Sequence, residues 1–325
     1  MRSSKVLRVV ALIMLLTFSN LLFLGKIKAQ ENPVLMRVLI VCGSTGNAFR
    51  ADTQYMHHVL SKHYGPCEIY YLSVFTADVG VNASATKDKI RSTINTSIAG
   101  KSDYNDIIFI YFASHGRGYN AINNELEGGR LENCSDEGEE VRESTLNMDV
   151  NHDGDLDEWV GVDEGLDVQD GVYWDDELSA DLAAVHGRIV FVRQGCLDGN
   201  QSCFGGGLID DISGYNRIVM TSGNETWYSY GDVGDEYGTP GYGYSEWSEC
   251  FIDALHEEKA WWQSDLYPVV HTGISVDADV NHDGQVSIME AWNYAWNNDN
   301  MRLAGNETPW YDDDGDKLPT YKNEQ

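Results

Sequence analysis

Two stretches of the sequence place a nucleophile and a proton carrier at the ends of apolar runs. Residues 188–212 read RIVFVRQGCLDGNQSCFGGGLIDDI. The run Ile189 to Val192 stops just short of Cys196, and a second cysteine, Cys203, precedes a glycine cluster that opens a helix-like segment. Residues 106–118, DIIFIYFASHGRG, follow the same grammar and end in Ser114, His115 and Gly116. A thiol delivered by one strand and an imidazole by another are the parts of cysteine nucleophilic catalysis, in which the thiolate attacks a carbonyl and the imidazole carries the proton. Gly116 lets a substrate carbonyl come close to the backbone, whose N–H can hold an oxyanion.

The acidic loops carry a second chemistry. Asp279, Asn281, Asp283, Gln285, Ser287 and Glu290 fall at positions one, three, five, seven, nine and twelve of an EF-hand loop, with Gly284 at position six. Hard oxygen donors at that spacing suit calcium: the glycine allows the sharp turn, position seven offers its carbonyl, and the last glutamate binds through both oxygens. A helix over Ile288–Trp296 follows as it should, whereas the segment before the loop contains Gly273 and does not read as a helix. Asp149, Asn151 and Asp153 begin a similar run, but its twelfth position is Val160, which has no side-chain ligand. Asp312, Asp314 and Asp316 read as a solvated tail.

The elements that hold these residues follow from periodicity. Met36–Cys42, Glu68–Val74, Asp106–Gly118, Arg188–Arg193 and Arg217–Ser222 predict strands, several of them continuous apolar runs of the kind buried on both faces of a parallel sheet. Phe49–His63, Ala85–Ala99 with Ile90, Ile94 and Ile98 on one face, Trp174–Val185 and Glu246–Trp262 predict helices, with Asp175 or Asp176 capping the third. Strand and helix alternate, so the expectation is an α/β fold in three layers around a mostly parallel sheet. Loops at the carboxyl ends of such strands carry active sites. Residues 119–171 turn to Glu, Asp, Gly and Asn and read as a long acidic loop over the sheet. The domain reading is a leader over 1–29, a catalytic domain over 30–275 and a short calcium-binding appendix over 276–325.

Phe112-Ala113-Ser114-His115-Gly116 resembles the His-Gly motif of the legumain and caspase superfamily of cysteine peptidases. Gln194-Gly195-Cys196-Leu197-Asp198-Gly199 resembles their Gln/Glu-Ala-Cys-x-x-Gly motif, and the residues from Cys203 to Ile212 resemble the Cys-x-Ser-Gly-Gly form of prokaryotic legumain-like and metacaspase-like members. The resemblance runs from Met36 to Ala254. It implies a caspase-like three-layer sandwich, a protein or peptide substrate, and hydrolysis of peptide bonds by a Cys/His dyad. Gly205 stands where those relatives have serine. Distance from the strand favours Cys196 as the nucleophile; distance to the next strand and the glycine-rich stretch favour Cys203, and the balance tips to Cys203. A disulfide between the two would silence the site until reduced. Two alternatives share the fold: a catalytically inactive calcium-dependent adhesion or scaffold module, and a transpeptidase in which an amine replaces water.

Arg2, Lys5 and Arg8 precede an apolar run from Val9 to Gly25, which is the layout of an export signal, with cleavage after Ala29. The expectation is an exported protein, extracellular or at the cell surface, meeting a membrane only if that segment stays uncleaved. The chain holds 22 basic and 52 acidic residues, a net charge of -30, which excludes nucleic acid as a natural partner. Removing residues 1–29 takes away five basic residues and no acidic ones, leaving -35. The 6 cysteines, in an exported chain, are candidates for disulfides, but a catalytic thiol must stay free.

Overall fold

A computed structural model describes residues 34–117, 141–142, 159–160, 165–195, 208–223, 229, 244–261 and 269–315. In chain order, β1 (Met36–Cys42) is followed by α1 (Asn47–His63), β2 (Cys67–Ser73), α2 (Lys87–Ser92) and β3 (Ile107–Ser114). Short strands come next: β4 (Gly116–Arg117), β5 (Val141–Arg142), β6 (Trp159–Val160), β7 (Gly165–Val168) and β8 (Gly171–Trp174). Then follow α3 (Asp175–Leu182), β9 (Arg188–Gly195), α4 (Leu208–Ile212), β10 (Arg217–Thr221), α5 (Glu246–His256), β11 (Glu258–Trp261) and β12 (Val270–Ser275). The last elements are α6 (Ile288–Asn298), α7 (Asn300–Leu303) and β13 (Trp310–Asp312). The leader lies outside the described residues, among which no helix is long and apolar enough to cross a membrane.

Six strands form one sheet in the order β13-β10-β9-β3-β1-β2. All neighbours in it are parallel except β13, which runs antiparallel to β10. Both faces are covered, which is why β1, β3 and β9 are apolar without alternation. Val38, Ile40, Phe109 and Val192 face α1, α5 and α6 through Tyr55, Met56, Phe251 and Trp292. Leu39, Val41, Ile110 and Phe191 face Ile90, Ile94, Leu178, Leu182 and Ile209 on the opposite side. The chain is therefore α/β, with helices on both sides of a mostly parallel sheet. Ile90, Ile94 and Ile98 are all buried, but α2 widens into a π-helical turn over Thr93–Ile98. Residues four apart drift about 40° around an α-helix, and the wider turn brings the isoleucines back toward one face.

Four expectations are corrected. The stretch 119–171 is not loop throughout, because β7 pairs with β4 and β8 and buries Leu166 and Val168. The helix from Glu246 stops at His256; Glu257 adopts φ 58° and the chain continues as β11, antiparallel to β12. The third helix has Trp174 rather than an aspartate at its cap position, with Glu177 reaching back to the Trp174 N–H at 3.4 Å. Finally, 276–325 is not an appendix over its described part. Ala291, Trp292, Ala295 and Tyr311 belong to the main core, and β13 forms one edge of the central sheet. Asp312 is accordingly 1% exposed, its Oδ1 accepting from the N–H groups of Asp314 and Gly315.

A buried carboxyl joins α1 to the start of α5. Asp52 is fully buried and meets the Ser245 N–H at 3.0 Å and the Ser245 hydroxyl at 2.6 Å. Burial pushes its carboxyl up to about 8, against the pull of those two hydrogen bonds. A folded-state value above the unfolded one means stability that is complete below the ordinary carboxylate range and lost as pH rises through about 8. Asp52→Asn keeps an acceptor for the Ser245 N–H and cannot ionise. Urea unfolding should show the variant gaining on wild type by on the order of 3 kcal/mol between pH 5 and pH 9. A difference that stays flat across that range would contradict this account.

Candidate active site

The histidine strand and the cysteine strand are neighbours. β3 pairs with β9 in parallel, in a register that sets Ala113 on Gln194 and Ser114 on Gly195. Paired strands lie about 4.8 Å apart. β3 and β9 therefore end side by side at the same edge of the sheet, one residue before His115 and Cys196 in the sequence. Cys196 and Cys203 themselves lie outside the described residues, Cys203 eight residues beyond Gly195.

Four segments fix the half-buried His115. Its N–H donates to the Ser44 hydroxyl at 3.2 Å, in the turn between β1 and α1. Its carbonyl accepts from the Asp167 N–H on β7 at 2.9 Å and from the Ser114 hydroxyl at 3.0 Å. Its ring stands edge-on to Phe49 of α1, centroids 4.9 Å apart. Gly43 is what lets these segments converge: a Cβ there would lie 2.0 Å from the Asp167 carbonyl oxygen and 3.0 Å from the Ser114 Cβ. Gly116 pairs with Leu166 across β4 and β7, while the bond from Asp167 to His115 flanks that pair. Gly116 therefore occupies a non-hydrogen-bonded position of the ladder, and its N–H points away from β7.

The end of β9 is equally well held. The Gly195 N–H donates to the Ser222 hydroxyl at 3.1 Å, just past β10. The Gln194 amide donates to the Gly195 carbonyl at 2.7 Å and to the Ser229 hydroxyl at 3.1 Å, and Ser229 in turn donates to the Glu307 carboxylate. Arg193 is 1% exposed, and its guanidinium lies so close beneath Gly195 that a Cβ there would be 3.0 Å from Nη1. Sequence reasoning missed Ser44, Arg193, Ser222 and Ser229. Only Arg193, a charge that closes an apolar run while still within the strand, carried a local signal.

Among the described cysteines, Cys42, Cys67 and Cys250 are free. Burial pushes the Cys42 thiol up to about 12 and raises those of Cys67 and Cys250 as well. All three are thiols at neutral pH, which is the unreactive form.

The candidate calcium residues of the C-terminal part run from the loop after β12 into the first turn of α6, a strand, loop and helix, with Glu290 in that turn. Asp279 accepts from the N–H groups of Asp283 (3.1 Å) and Gly284 (2.8 Å), and Asn281 Oδ1 accepts from Asp283 at 2.8 Å. Gly284 has φ 85°, which a side chain would resist. Glu290 folds back to accept from Asn281 (3.2 Å) and Ser287 (2.9 Å), and these backbone donors hold its carboxyl below the usual range. Every side chain at the ligand spacing ends in oxygen, which fits calcium and not a soft metal. Asp149, Asn151 and Asp153 lie outside the described residues.

No family model matches the chain, and no curated protein matches it. Among solved structures, protein GSU0716 from Geobacter sulfurreducens, a structural genomics target, is similar with a TM-score of 0.40 and 14% identity over 68% of this chain and 81% of that one. Likeness at that level assigns neither a fold family nor an activity. The functional reading rests on this chain's own residues.

Proposed function

We propose that the chain is an exported cysteine endopeptidase on a caspase-like form of the α/β sandwich, hydrolysing peptide bonds through His115 and a cysteine that follows β9. The observation that carries this reading is the parallel register of Ser114 on Gly195, which ends β3 and β9 at adjacent points of one sheet edge, each one residue ahead of a motif residue in the sequence. The buried Arg193 guanidinium below that edge adds support, because a nearby cation favours the thiolate.

In this mechanism the thiolate attacks the scissile carbonyl carbon, and the carbonyl oxygen takes up the negative charge. The Gly116 N–H, which points away from β7, and the cysteine's own N–H hold that oxyanion. As the intermediate collapses, the C–N bond breaks and His115 gives its proton to the leaving amine. His115 then takes a proton from water, whose oxygen attacks the thioester and restores the thiol. Asp279, Asn281, Asp283, the Gln285 carbonyl, Ser287 and Glu290 would hold calcium, which supplies rigidity to the loop ahead of α6.

The test is cleavage of a mixed peptide library by the reduced protein, with and without calcium, comparing wild type, Cys196→Ala and Cys203→Ala. One alanine variant should lose at least about a hundredfold of the activity while the other keeps it. Transfer of the peptide to an added amine would identify a transpeptidase using the same dyad. A reduced wild type that cleaves nothing under either condition would leave the inactive calcium-binding module as the better account.

A further inference from the structure

The last two turns of α1, the end of α5 and β12 bring together histidines that the peptidase reading does not use. His58, His256 and His271 each offer a ring nitrogen, and the three atoms lie within 4.8 Å of one another. Ring centroids are 6.0 Å apart for His58 and His256, 5.5 Å for His58 and His271, and 5.1 Å for His256 and His271. His63 adds a fourth ring 4.9 Å from that of His256. Because α1 runs back from the carboxyl edge of the sheet, this cluster stands at the other end of that helix from Phe49 and His115.

We propose that His58, His256 and His271 form a binding site for a divalent transition metal of the zinc class, clamping β12 and the end of α5 onto α1.

The hydrogen bonds around the cluster fix which nitrogens keep a lone pair for a metal. His256 Nδ1 lies 3.1 Å from the Glu258 carbonyl, which can only accept, so Nδ1 carries the proton. The Tyr55 hydroxyl, 3.0 Å from the same nitrogen, spends its own proton on Asp253 at 2.7 Å and agrees with that assignment. His271 Nδ1 lies 3.2 Å from the Glu258 carboxylate, which likewise only accepts. Both rings therefore present the Nε2 lone pair. A carboxylate or carbonyl behind each imidazole, setting its tautomer and raising its basicity, is the usual outer shell of a metal-binding histidine. Glu258 supplies both partners and is itself anchored by the Gly273 N–H at 2.8 Å.

Neutral imidazoles suit zinc, nickel and copper and are poor ligands for calcium or magnesium. Zinc–nitrogen bonds of about 2.05 Å put tetrahedral ligand nitrogens ~3.4 Å apart. Small rotations of the rings, whose second side-chain torsion is broad, close the cluster to that spacing. The fourth position is left to water or His63. This site differs in ligand chemistry from the oxygen-lined loop at Asp279–Glu290, although β12 leads into that loop.

The experiment uses the chain without a polyhistidine tag, stripped with EDTA and kept in excess calcium so that the acidic loop does not compete. Zinc chloride is titrated calorimetrically, and cobalt(II) chloride is titrated in parallel for its visible d–d bands. The result expected is one zinc per chain, intense tetrahedral cobalt bands, and binding at least about tenfold weaker in His58→Ala and His271→Ala and about tenfold weaker in Glu258→Gln. Melting in EDTA controls for folding; once the EDTA is removed, zinc should raise the midpoint of wild type and leave that of folded His271→Ala where it was. Less than one zinc per wild-type chain, or undiminished zinc binding by the folded His58→Ala/His271→Ala double variant, would overturn the proposal.

Discussion

His115→Ala is expected to cut peptide hydrolysis by about 10²–10⁴-fold, the range that a positioned general acid-base contributes. The loss should fall on kcat more than on KM, because in the proposed mechanism the imidazole acts on the proton of the leaving amine and not on the substrate's remote groups. Stability should change little. The main-chain bonds at His115, to Ser44 and Asp167, survive the substitution, and the edge contact of the ring with Phe49 is worth only about 0.5–1.5 kcal/mol. A folded variant that hydrolyses peptides at the wild-type rate would remove His115 from the mechanism. The opposite pattern, a large fall in melting temperature with activity scaling to the folded fraction, would make the residue structural.

The strand that delivers His115 was readable in the sequence because its environment is simple. Residues 107–114 lie in mid-sheet with helices on both faces, and the same holds for β1 and β9, so continuous apolar runs marked all three. Short elements left weaker traces. β7 reads GLDV and β8 reads GVYW, four residues each beside an acidic stretch, and only the burial of Leu166, Val168 and Tyr173 reveals them as structure. β11 was hidden for another reason: EKAW continues an amphipathic pattern that Glu257, at φ 58°, breaks without glycine or proline to announce it.

The histidine and cysteine motifs were equally visible, since each is local to one strand end. What holds them is not local. Ser44, Ser222 and Asp167 reach the site from three separate turns or strands, and no spacing within a single stretch encodes that. The histidine cluster is the extreme case. His58, His256 and His271 are unremarked singly and become a site only when α1, α5 and β12 are packed together.

The C-terminal segment gives the sharpest contrast between an independent appendix and an integral part of the domain. Trp292, 1% exposed, packs on Trp247 at 5.6 Å and on Tyr311 at 5.0 Å, joining α6 to α5 and to β13. Trp292→Ala should therefore cost about 3–5 kcal/mol, as for other large aromatic side chains removed from a core. For a domain of ordinary stability that is a substantial share of the whole. Deleting everything after Ser275 should do more, stripping β13 from β10 and exposing Trp247 and Phe251 of α5. Glu290→Gln, by contrast, alters a carboxyl in the first turn of α6, where glutamine can still close the capping box with Ser287, and should leave the melting temperature in EDTA within about a few degrees of wild type. If calcium binds the loop, its stabilisation reaches this core directly, because Ile288 to Ala295 continue from the loop into the helix that carries Trp292. A hundredfold excess over the dissociation constant would add about 2.7 kcal/mol in wild type. Glu290→Gln should lose most of that gain. A chain truncated after Ser275 that still unfolded cooperatively at the wild-type temperature would show that the sheet needs neither β13 nor α6, and the coupling between loop and core would fall with it.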